Sequence, residues 1–306
     1  MSVQRFSRLC ACVCLFLLSF ATGTPSRVSR QLNGTAGGKI LRIQPLGNSI
    51  TFGYLSSDGN GYRLGLQDLL LADGNTVQYV GSVQAGNITD NFNEGHPGAV
   101  ITQIAQYARL SLPELPNVVL LMAGTNDMNG LVNITGAPAR LGDLLDEINA
   151  AVPGVTTVVA QLTPAANATV EKAIEDFNAE IPNVVSSKVA AGQKVSVVNM
   201  MDYVTVNDLK DGLHPTDHGY QQMAQAWFKG IQQVQSNGWV SEPATTNATN
   251  KTNPTNAVTL AMQTSSPTAS SMPVTKTTIS SASRSGVGMG GMAAVLTLLG
   301  SFLLYT

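Results

Sequence analysis

One serine and one histidine in this chain lie in segments whose residue types suit proton transfer. Ser49 stands in the segment GNSIT, directly after an apolar run that ends at Leu46, and His214 stands in DGLHP, three residues after Asp211. A serine hydroxyl attacks a carbonyl only when a base accepts its proton, and an imidazole is the usual base near neutral pH. A carboxylate at this spacing in a turn can bond the imidazole Nδ1, so the three side chains predict nucleophilic catalysis by a serine triad.

Two further segments carry groups that can donate to an oxyanion. GTND follows the apolar run that ends at Met122, and its Asn126 has a side-chain NH₂ group. EGHPG places Gly98 ahead of a helical pattern, where a backbone N–H can approach a substrate because no side chain intervenes. Both segments are therefore predicted to donate hydrogen bonds beside Ser49.

Structural roles are the alternative for each of these residues. Ser49 could cap a helix, Asn126 could occupy a turn, and Gly98 could follow Pro97 in an ordinary turn. Each structural role is plausible for one residue alone, but the joint pattern favours catalysis.

His214 and His218 are four residues apart, with Asp217 between them, and this spacing raises the alternative of a metal site. Pro215 disfavours a helix that continues from His214, and no third ligand is evident. We therefore predict no metal and no cofactor, and we place His218 in the first turn of the last helix.

Short apolar runs alternate with segments of helical spacing along the central part of the chain. The runs predict buried parallel strands at Lys39 to Leu46, Val77 to Val80, Val118 to Met122, Thr156 to Gln161 and Val195 to Met200. The helical segments are Tyr62 to Ala72, Val100 to Leu110, Ala137 to Ala151, Ala168 to Ala190 and Thr216 to Gln235. This alternation predicts an α/β protein, a three-layer α/β/α doubly wound fold around a mainly parallel five-stranded sheet. Functional loops of such a fold lie at the carboxyl ends of the strands, where Ser49 is placed.

The segments GNSIT, EGHPG, GTND and DGLHP together resemble the four blocks of the SGNH (GDSL-type) hydrolases, in the order of that family. The flanking GYR and NEGHPG segments resemble more narrowly the third carbohydrate esterase family, the acetylxylan esterases. The resemblance covers residues 39–234 and implies a flavodoxin-like SGNH fold.

The resemblance also implies a role for each matching residue. Ser49 would be the nucleophile, His214 the general base and then acid, and Asp211 the orienting carboxylate. The oxyanion hole would consist of the backbone N–H groups of Ser49 and Gly98 and the side chain of Asn126.

Two positions depart from the pattern of the family. Asn48 stands where the family usually has an aspartate, which removes a charge from the nucleophile loop. Ala99 follows the glycine of the second block, where a bulky aromatic is common, and this affects the shape of the pocket. Four other side chains could line the substrate entrance or simply pack: Tyr54, Tyr62, Arg63 and His96.

The two ends of the chain have the composition of targeting segments. Residues 1–21 predict a signal peptide, and all three cysteines, Cys10, Cys12 and Cys14, lie within it, so no disulfide is expected after cleavage. Residues 22–37 form an extension, 38–238 the hydrolase domain, and 239–283 a glycosylated stalk rich in Ser, Thr, Asn and Pro. Residues 284–306 predict a GPI-anchor signal, with a transmembrane anchor as the alternative. N-glycosylation sequons begin at Asn33, Asn87, Asn133, Asn167, Asn247 and Asn250.

The sequence thus predicts a secreted, surface-tethered serine esterase. The formal net charge is −2 without a Lys/Arg cluster, which argues against a nucleic-acid partner. An α/β-hydrolase is disfavoured because the chain has no G-x-S-x-G motif. We expect a monomer that hydrolyses acetyl esters on a carbohydrate such as xylan. A lipid or lysophospholipid esterase and a cell-wall glycan-binding protein remain the alternatives.

Overall fold

A computed structural model describes residues 38–245, and all of them belong to one compact unit. The predicted signal peptide, N-terminal extension and anchor signal lie outside the described residues. So do the stalk from residue 246 onward and the sequons at Asn33, Asn247 and Asn250.

The described chain alternates strands and helices. The strands are β1 (Ile40–Gly47), β2 (Thr76–Tyr79), β3 (Val83–Gln84), β4 (Phe92–Gly95), β5 (Val118–Met122), β6 (Thr156–Gln161) and β7 (Lys194–Asn199). The α-helices are α1 (Ser49–Phe52), α2 (Arg63–Ala72), α3 (Ile101–Ser111), α4 (Thr125–Asn129), α5 (Ala137–Ala151), α6 (Ala168–Ala190) and α7 (Asp217–Ser236). Short 3₁₀ turns span Leu112–Glu114, Ile134–Gly136, Met200–Asp202 and Val206–Asp208.

The strands form one sheet in the order β3-β4-β1-β5-β6-β7, with β2 also paired to β1. All pairings are parallel except that of β3 with β4. Two strands share one edge of β1, because β2 pairs with its first half and β4 with Leu46 and Gly47 at its end. The predicted α/β class and the mainly parallel sheet are confirmed.

The predicted number of five strands is wrong for the described chain, which has seven. β3 and β4 were not predicted from the sequence. β3 is only two residues long, and β4 has the sequence FNEG, whose polar residues and glycine do not resemble a strand. β4 forms because its backbone pairs with the end of β1, so its existence depends on tertiary contacts more than on strand propensity.

The central strands are buried because helices cover both faces of the sheet. All five residues of β5 are buried, which explains its uninterrupted apolar sequence VVLLM. The helices bury only one face: Leu141, Leu144, Leu145 and Ile148 of α5 are buried, at helical spacing. None of the helices in residues 38–245 combines the length and the apolar character that a membrane crossing requires.

The residues after α7 pack against the sheet. The carbonyl of Trp239 accepts hydrogen bonds from Thr156 Oγ1 and Lys194 Nζ, both at 3.0 Å. Further along, the carbonyl of Ser241 accepts one from Asn117 Nδ2 at 2.7 Å, and that of Ala244 one from Arg42 at 3.0 Å. The chain therefore stays packed against the sheet as far as residue 244, within the segment 239–283 that was predicted to be the stalk.

Three of the predicted sequons fall in the described chain. Asn87, Asn133 and Asn167 are exposed. Asn167 also caps α6, because its Oδ1 accepts hydrogen bonds from the N–H groups of Thr169 and Val170. Glycosylation uses the amide nitrogen, which this cap does not engage, and modification of these sites stays a prediction.

Candidate active site

Ser49 lies at the carboxyl end of β1, as the first residue of the short helix α1. Asn48 caps this helix: its Oδ1 accepts a hydrogen bond from the backbone N–H of Ile50 at 3.1 Å, and its side chain is fully buried. Because Asn48 supplies the cap, the Ser49 hydroxyl is not needed for it. Gly53, with φ of 93°, ends the helix after a single turn. Ser49 is thus held at the N-terminus of a helix, where its backbone N–H has no intrahelical acceptor.

The structure brings Ser49, His214 and Asp211 into one chain of hydrogen bonds. Ser49 Oγ lies 2.9 Å from His214 Nε2, and His214 Nδ1 lies 2.8 Å from Asp211 Oδ2. The other carboxylate oxygen, Asp211 Oδ1, accepts the backbone N–H groups of His214 at 2.8 Å and Leu213 at 3.0 Å. These two bonds fix the carboxylate, which in turn orients the imidazole toward Ser49.

The environment of Asp211 keeps its carboxylate ionised. Partial burial raises the pKa of Asp211, but hydrogen bonds from the backbone and ring of His214 and from Leu213 lower it by more, so the net shift is downward. A carboxylate whose pKa is depressed remains an acceptor at neutral pH and well into the acid range. The Nδ1 atom of His214 therefore carries the proton, and Nε2 is left as the acceptor that faces Ser49.

The turn that holds Gly98 follows β4. Ala99 donates its N–H to the carbonyl of His96 at 3.1 Å, which closes the turn. Gly98 lies inside it with φ of 82°, a conformation that side-chain-bearing residues rarely adopt, and a Cβ atom at Gly98 would meet nothing within 4 Å. The space above Gly98 is thus open to a substrate.

Asn126 is held against that same turn. It is the second residue of α4, which starts three residues after β5 ends, and its Nδ2 donates to the carbonyl of Ala99 at 2.8 Å. An amide nitrogen has two hydrogens, so one remains for an oxyanion. The neighbouring Asp127 is buried and accepts the N–H of Ile101 at 3.0 Å and a hydrogen bond from Arg140 at 2.8 Å. These contacts lock the loop of Asn126 to the start of α3.

Of the four residues predicted to line the substrate entrance, only Tyr54 is exposed beside the triad. Tyr54 is 46% exposed, and its ring centroid lies 4.8 Å from that of His214 in an edge-to-face arrangement. The hydroxyl of Tyr220 donates to the backbone carbonyl of Tyr54 at 2.7 Å, which fixes the backbone at this position.

Tyr62 and Arg63 are fully buried and do not reach the cleft. The guanidinium of Arg63 donates to four backbone carbonyls, those of Phe52, Gly59, Ala85 and Asn91, at 2.9 to 3.0 Å. Arg63 thus ties the end of α1 to two neighbouring loops. The structure gives both residues the packing role that was the alternative to substrate binding.

His96 lies next to the Gly98 turn, but its ring is engaged by the protein. Its Nε2 lies 2.5 Å from Oε1 of Glu94, a carboxylate that was not predicted to belong to the site. Glu94 is fully buried in β4, and it accepts hydrogen bonds from Ser82 and Ser111, which lie outside that strand. A glutamate in a short polar segment gives no sign of burial, so only the packing of Ser82 and Ser111 around it identifies its position.

His218 is exposed and separate from the triad. Its Nδ1 lies 2.9 Å from Asp208 Oδ1, and its Nε2 lies 3.1 Å from the side-chain nitrogen of Gln222. Within residues 38–245, no group of three or more His, Cys, Asp or Glu side chains is arranged to hold a metal ion.

Comparison with known proteins places this site in a family. The GDSL-like lipase/acylhydrolase family matches residues 43–227, which contain Ser49, Gly98, Asn126, Asp211 and His214. A multidomain esterase of Ruminococcus flavefaciens is 28% identical over 263 residues, which cover 76% of this chain and 33% of that protein. The chain thus spans only a third of that protein, and it spans 49% of a second curated relative, a putative endoglucanase X of Acetivibrio thermocellus.

Solved structures match the domain over nearly their whole length. A family 3 carbohydrate esterase of Clostridium thermocellum has a TM-score of 0.57 and 32% identity, with 65% of this chain and 99% of that chain covered. A carbohydrate esterase family 3 protein from Talaromyces cellulolyticus has a TM-score of 0.56 and 25% identity, with 64% and 99% covered. The family resemblance inferred from the sequence is confirmed. The chain belongs to the GDSL-like lipase/acylhydrolase family, and its domain is a carboxylic ester hydrolase of carbohydrate esterase family 3.

Proposed function

We propose that this protein is a serine esterase that removes acetyl groups from a carbohydrate such as xylan. The observation that carries the proposal is the continuous hydrogen-bonded chain from Ser49 through His214 to Asp211, beside donors suited to an oxyanion. The likeness to family 3 carbohydrate esterases supports the substrate class.

In the proposed mechanism, Ser49 Oγ attacks the acetyl carbonyl carbon while its proton passes to His214 Nε2. The carbonyl oxygen becomes an oxyanion, which accepts hydrogen bonds from the backbone N–H groups of Ser49 and Gly98 and from the side chain of Asn126. The ester C–O bond then breaks, and the sugar oxygen leaves as an alcohol with the proton from His214. Water next attacks the acetyl-serine, His214 takes its proton and returns one to Ser49, and acetate is released.

Asp211 and Tyr54 have supporting parts in this proposal. Asp211 stabilises the imidazolium that forms in each transition state, through the hydrogen bond to His214 Nδ1. Tyr54 offers an exposed aromatic ring at the rim of the site, against which the apolar face of a sugar can pack.

The acyl-chain preference tests this function against a lipid esterase. We expect release of acetate from acetylated xylan, and kcat/KM for p-nitrophenyl esters that falls as the acyl chain lengthens from acetyl to octanoyl. A kcat/KM that rises with chain length would support the lipid or lysophospholipid esterase instead. A folded protein that turns over none of these esters but binds xylan would support the glycan-binding alternative.

Replacement of Asn126 tests the oxyanion hole. We expect Asn126→Ala to lower kcat about 10²- to 10³-fold with little change in KM, because the amide donates to charge that develops only in the transition state. Steady-state kinetics on p-nitrophenyl acetate would measure this. Asn183→Ala, which removes an exposed amide of α6, is the matched control and should leave kcat unchanged. A normal kcat in Asn126→Ala would remove this residue from the oxyanion hole.

We also propose that the enzyme is secreted and tethered to the cell surface, on the basis of the two terminal sequence patterns. Phosphatidylinositol-specific phospholipase should release esterase activity from intact cells that express the full chain. Activity that stays with the membrane after this treatment would favour a spanning anchor.

A further inference from the structure

A second histidine–carboxylate pair lies beside the turn that presents Gly98, and the proposed chemistry does not use it. Glu94 is fully buried at the end of β4 and accepts hydrogen bonds from the N–H of Ser82 at 2.9 Å and from its hydroxyl at 2.6 Å. The hydroxyl of Ser111 also donates to Glu94, and His96 Nε2 lies 2.5 Å from its Oε1.

The carboxylate of Glu94 is ionised in this setting. Burial raises the pKa of Glu94, but the hydrogen bonds from His96, Ser111 and Ser82 lower it by more, and the net shift is downward. An ionised carboxylate can only accept hydrogen bonds, so the Nε2 atom of His96 is the donor of this pair. A hydrogen bond to a buried charge is among the stronger ones in a protein, and it fixes the ring firmly.

The rest of His96 is held as well. Its ring stacks on that of Tyr107 in α3, with a centroid separation of 3.6 Å and an interplanar angle of 9°. Its backbone N–H donates to the carbonyl of Gly47 at 3.0 Å, and its own carbonyl accepts the N–H of Ala99. His96 is therefore fixed by its ring face, ring nitrogen, backbone N–H and carbonyl.

Gly98 cannot anchor itself, because it has no side chain and its φ of 82° is one of many that glycine can adopt. The direction of its N–H must be set by the residues at the two ends of the turn. Ala99 is held at one end by Asn126, and His96 is held at the other by Glu94, Tyr107 and Gly47.

We infer that His96 is a positioning residue for the oxyanion hole: Glu94 and Tyr107 fix its ring, and the ring fixes the turn that aims the Gly98 N–H at the reacting carbonyl. This inference rests on the proposed function and replaces the expectation that His96 contacts the substrate. One face of its ring packs on Tyr107 and its Nε2 is bonded to Glu94, and only 18% of its side chain is exposed.

Two variants separate the contributions of the His96 ring. His96→Phe keeps a flat ring for stacking on Tyr107 but cannot donate to Glu94. In His96→Gln, the amide nitrogen is as many bonds from Cα as Nε2 is in histidine, so it can still donate to Glu94. We expect His96→Phe to lower kcat about 10- to 10²-fold, since a misplaced donor acts mainly on the transition state. We expect the KM of His96→Phe to change less than about threefold. In His96→Gln, the increase in the activation free energy should be at most half of the increase in His96→Phe.

The measurements are kcat and KM for p-nitrophenyl acetate. Here kcat is the maximal rate divided by the concentration of active sites, which is determined by titration with a sulfonyl fluoride. This division counts only folded active sites. His218→Phe is the matched control, because it removes an exposed histidine whose carboxylate partner, Asp208, is separate from the triad, and its kcat should match that of the unsubstituted enzyme. If His96→Phe does not fold, Tyr107→Leu removes the stacking partner alone and should lower kcat in the same direction.

A double variant tests whether His96 acts through Gly98. Gly98→Ala strains the backbone of the same turn, so the losses in kcat for His96→Phe and Gly98→Ala should be less than multiplicative when they are combined. A multiplicative loss, an unchanged kcat per site in His96→Phe, or a loss that appears in KM would each overturn the inference. An unsubstituted enzyme without esterase activity would instead overturn the proposed function, so the two failures are distinguishable.

Discussion

Ser49→Ala should lower kcat for acetate release by about 10⁶-fold, the scale seen when a triad nucleophile is removed. The Ser49 hydroxyl is the group that His214 Nε2 faces, and no other hydroxyl is bonded to that nitrogen in the described chain. The helix cap, which is the structural alternative for a serine at this position, is supplied by Asn48. Alanine should therefore remove the chemistry and leave the fold of α1 intact.

The test compares acetate release from acetylated xylan by the two proteins at equal concentration, with circular dichroism and thermal unfolding as checks of the fold. Ser236→Ala is a suitable control, since it removes an exposed hydroxyl at the end of α7, and it should retain full activity. Retention of more than a tenth of the activity by Ser49→Ala would rule out this residue as the nucleophile.

Asp211→Asn should lower kcat by about 10³- to 10⁴-fold, because it reverses the tautomer of His214. The Oδ1 atom of an asparagine can still accept the N–H groups of Leu213 and His214, which turns its NH₂ group toward His214 Nδ1. Nδ1 then has to accept, so the ring proton moves to Nε2 and His214 can no longer take the proton of Ser49. The expected loss in kcat is no larger than the loss for a buried triad carboxylate, because the side chain of Asp211 is 42% exposed.

Two further substitutions make this result specific. Asp211→Ala leaves His214 free to adopt either tautomer, so it should retain more activity than Asp211→Asn. Asp208→Asn makes the same change beside His218, at the same ring nitrogen. It should leave kcat within about twofold of the unsubstituted enzyme, because His218 is exposed and is not bonded to Ser49. Asp211→Asn with normal kcat would mean that the carboxylate does not set the tautomer.

The elements with strong apolar patterns could be predicted from the sequence. β5, β6, α5 and α6 have the bounds that their apolar residues indicate, because these elements are buried on the faces that the pattern marks. β3 and β4 could not be predicted from the sequence, because they are short and polar and form through the pairing of β4 with β3 and with β1. The location of Ser49 and Asn126 at one edge of the sheet follows from the rule that parallel strands present their carboxyl ends together.

The buried charges of the domain were beyond the reach of sequence patterns. Arg63 is bonded by backbone carbonyls and Glu94 by serines and a histidine, and nothing in the local sequence marks these partners. A charged residue is normally exposed, so its burial depends on contacts between distant segments. The same limit applies to residues 239–244, which were assigned to the stalk although the carbonyls of Trp239 and Ser241 accept hydrogen bonds from side chains at the starts of β5, β6 and β7.

These last contacts also determine how the enzyme can be attached to a support. Thr156 and Lys194 are the first residues of β6 and β7, so the chain leaves the domain at the amino ends of the strands, while Ser49 follows a carboxyl end. The domain also begins at the amino ends of the strands, because Lys39 lies just before β1. A protein immobilised through either terminus of the domain would present the triad to the solution, and an insoluble polysaccharide could approach it without meeting the linker.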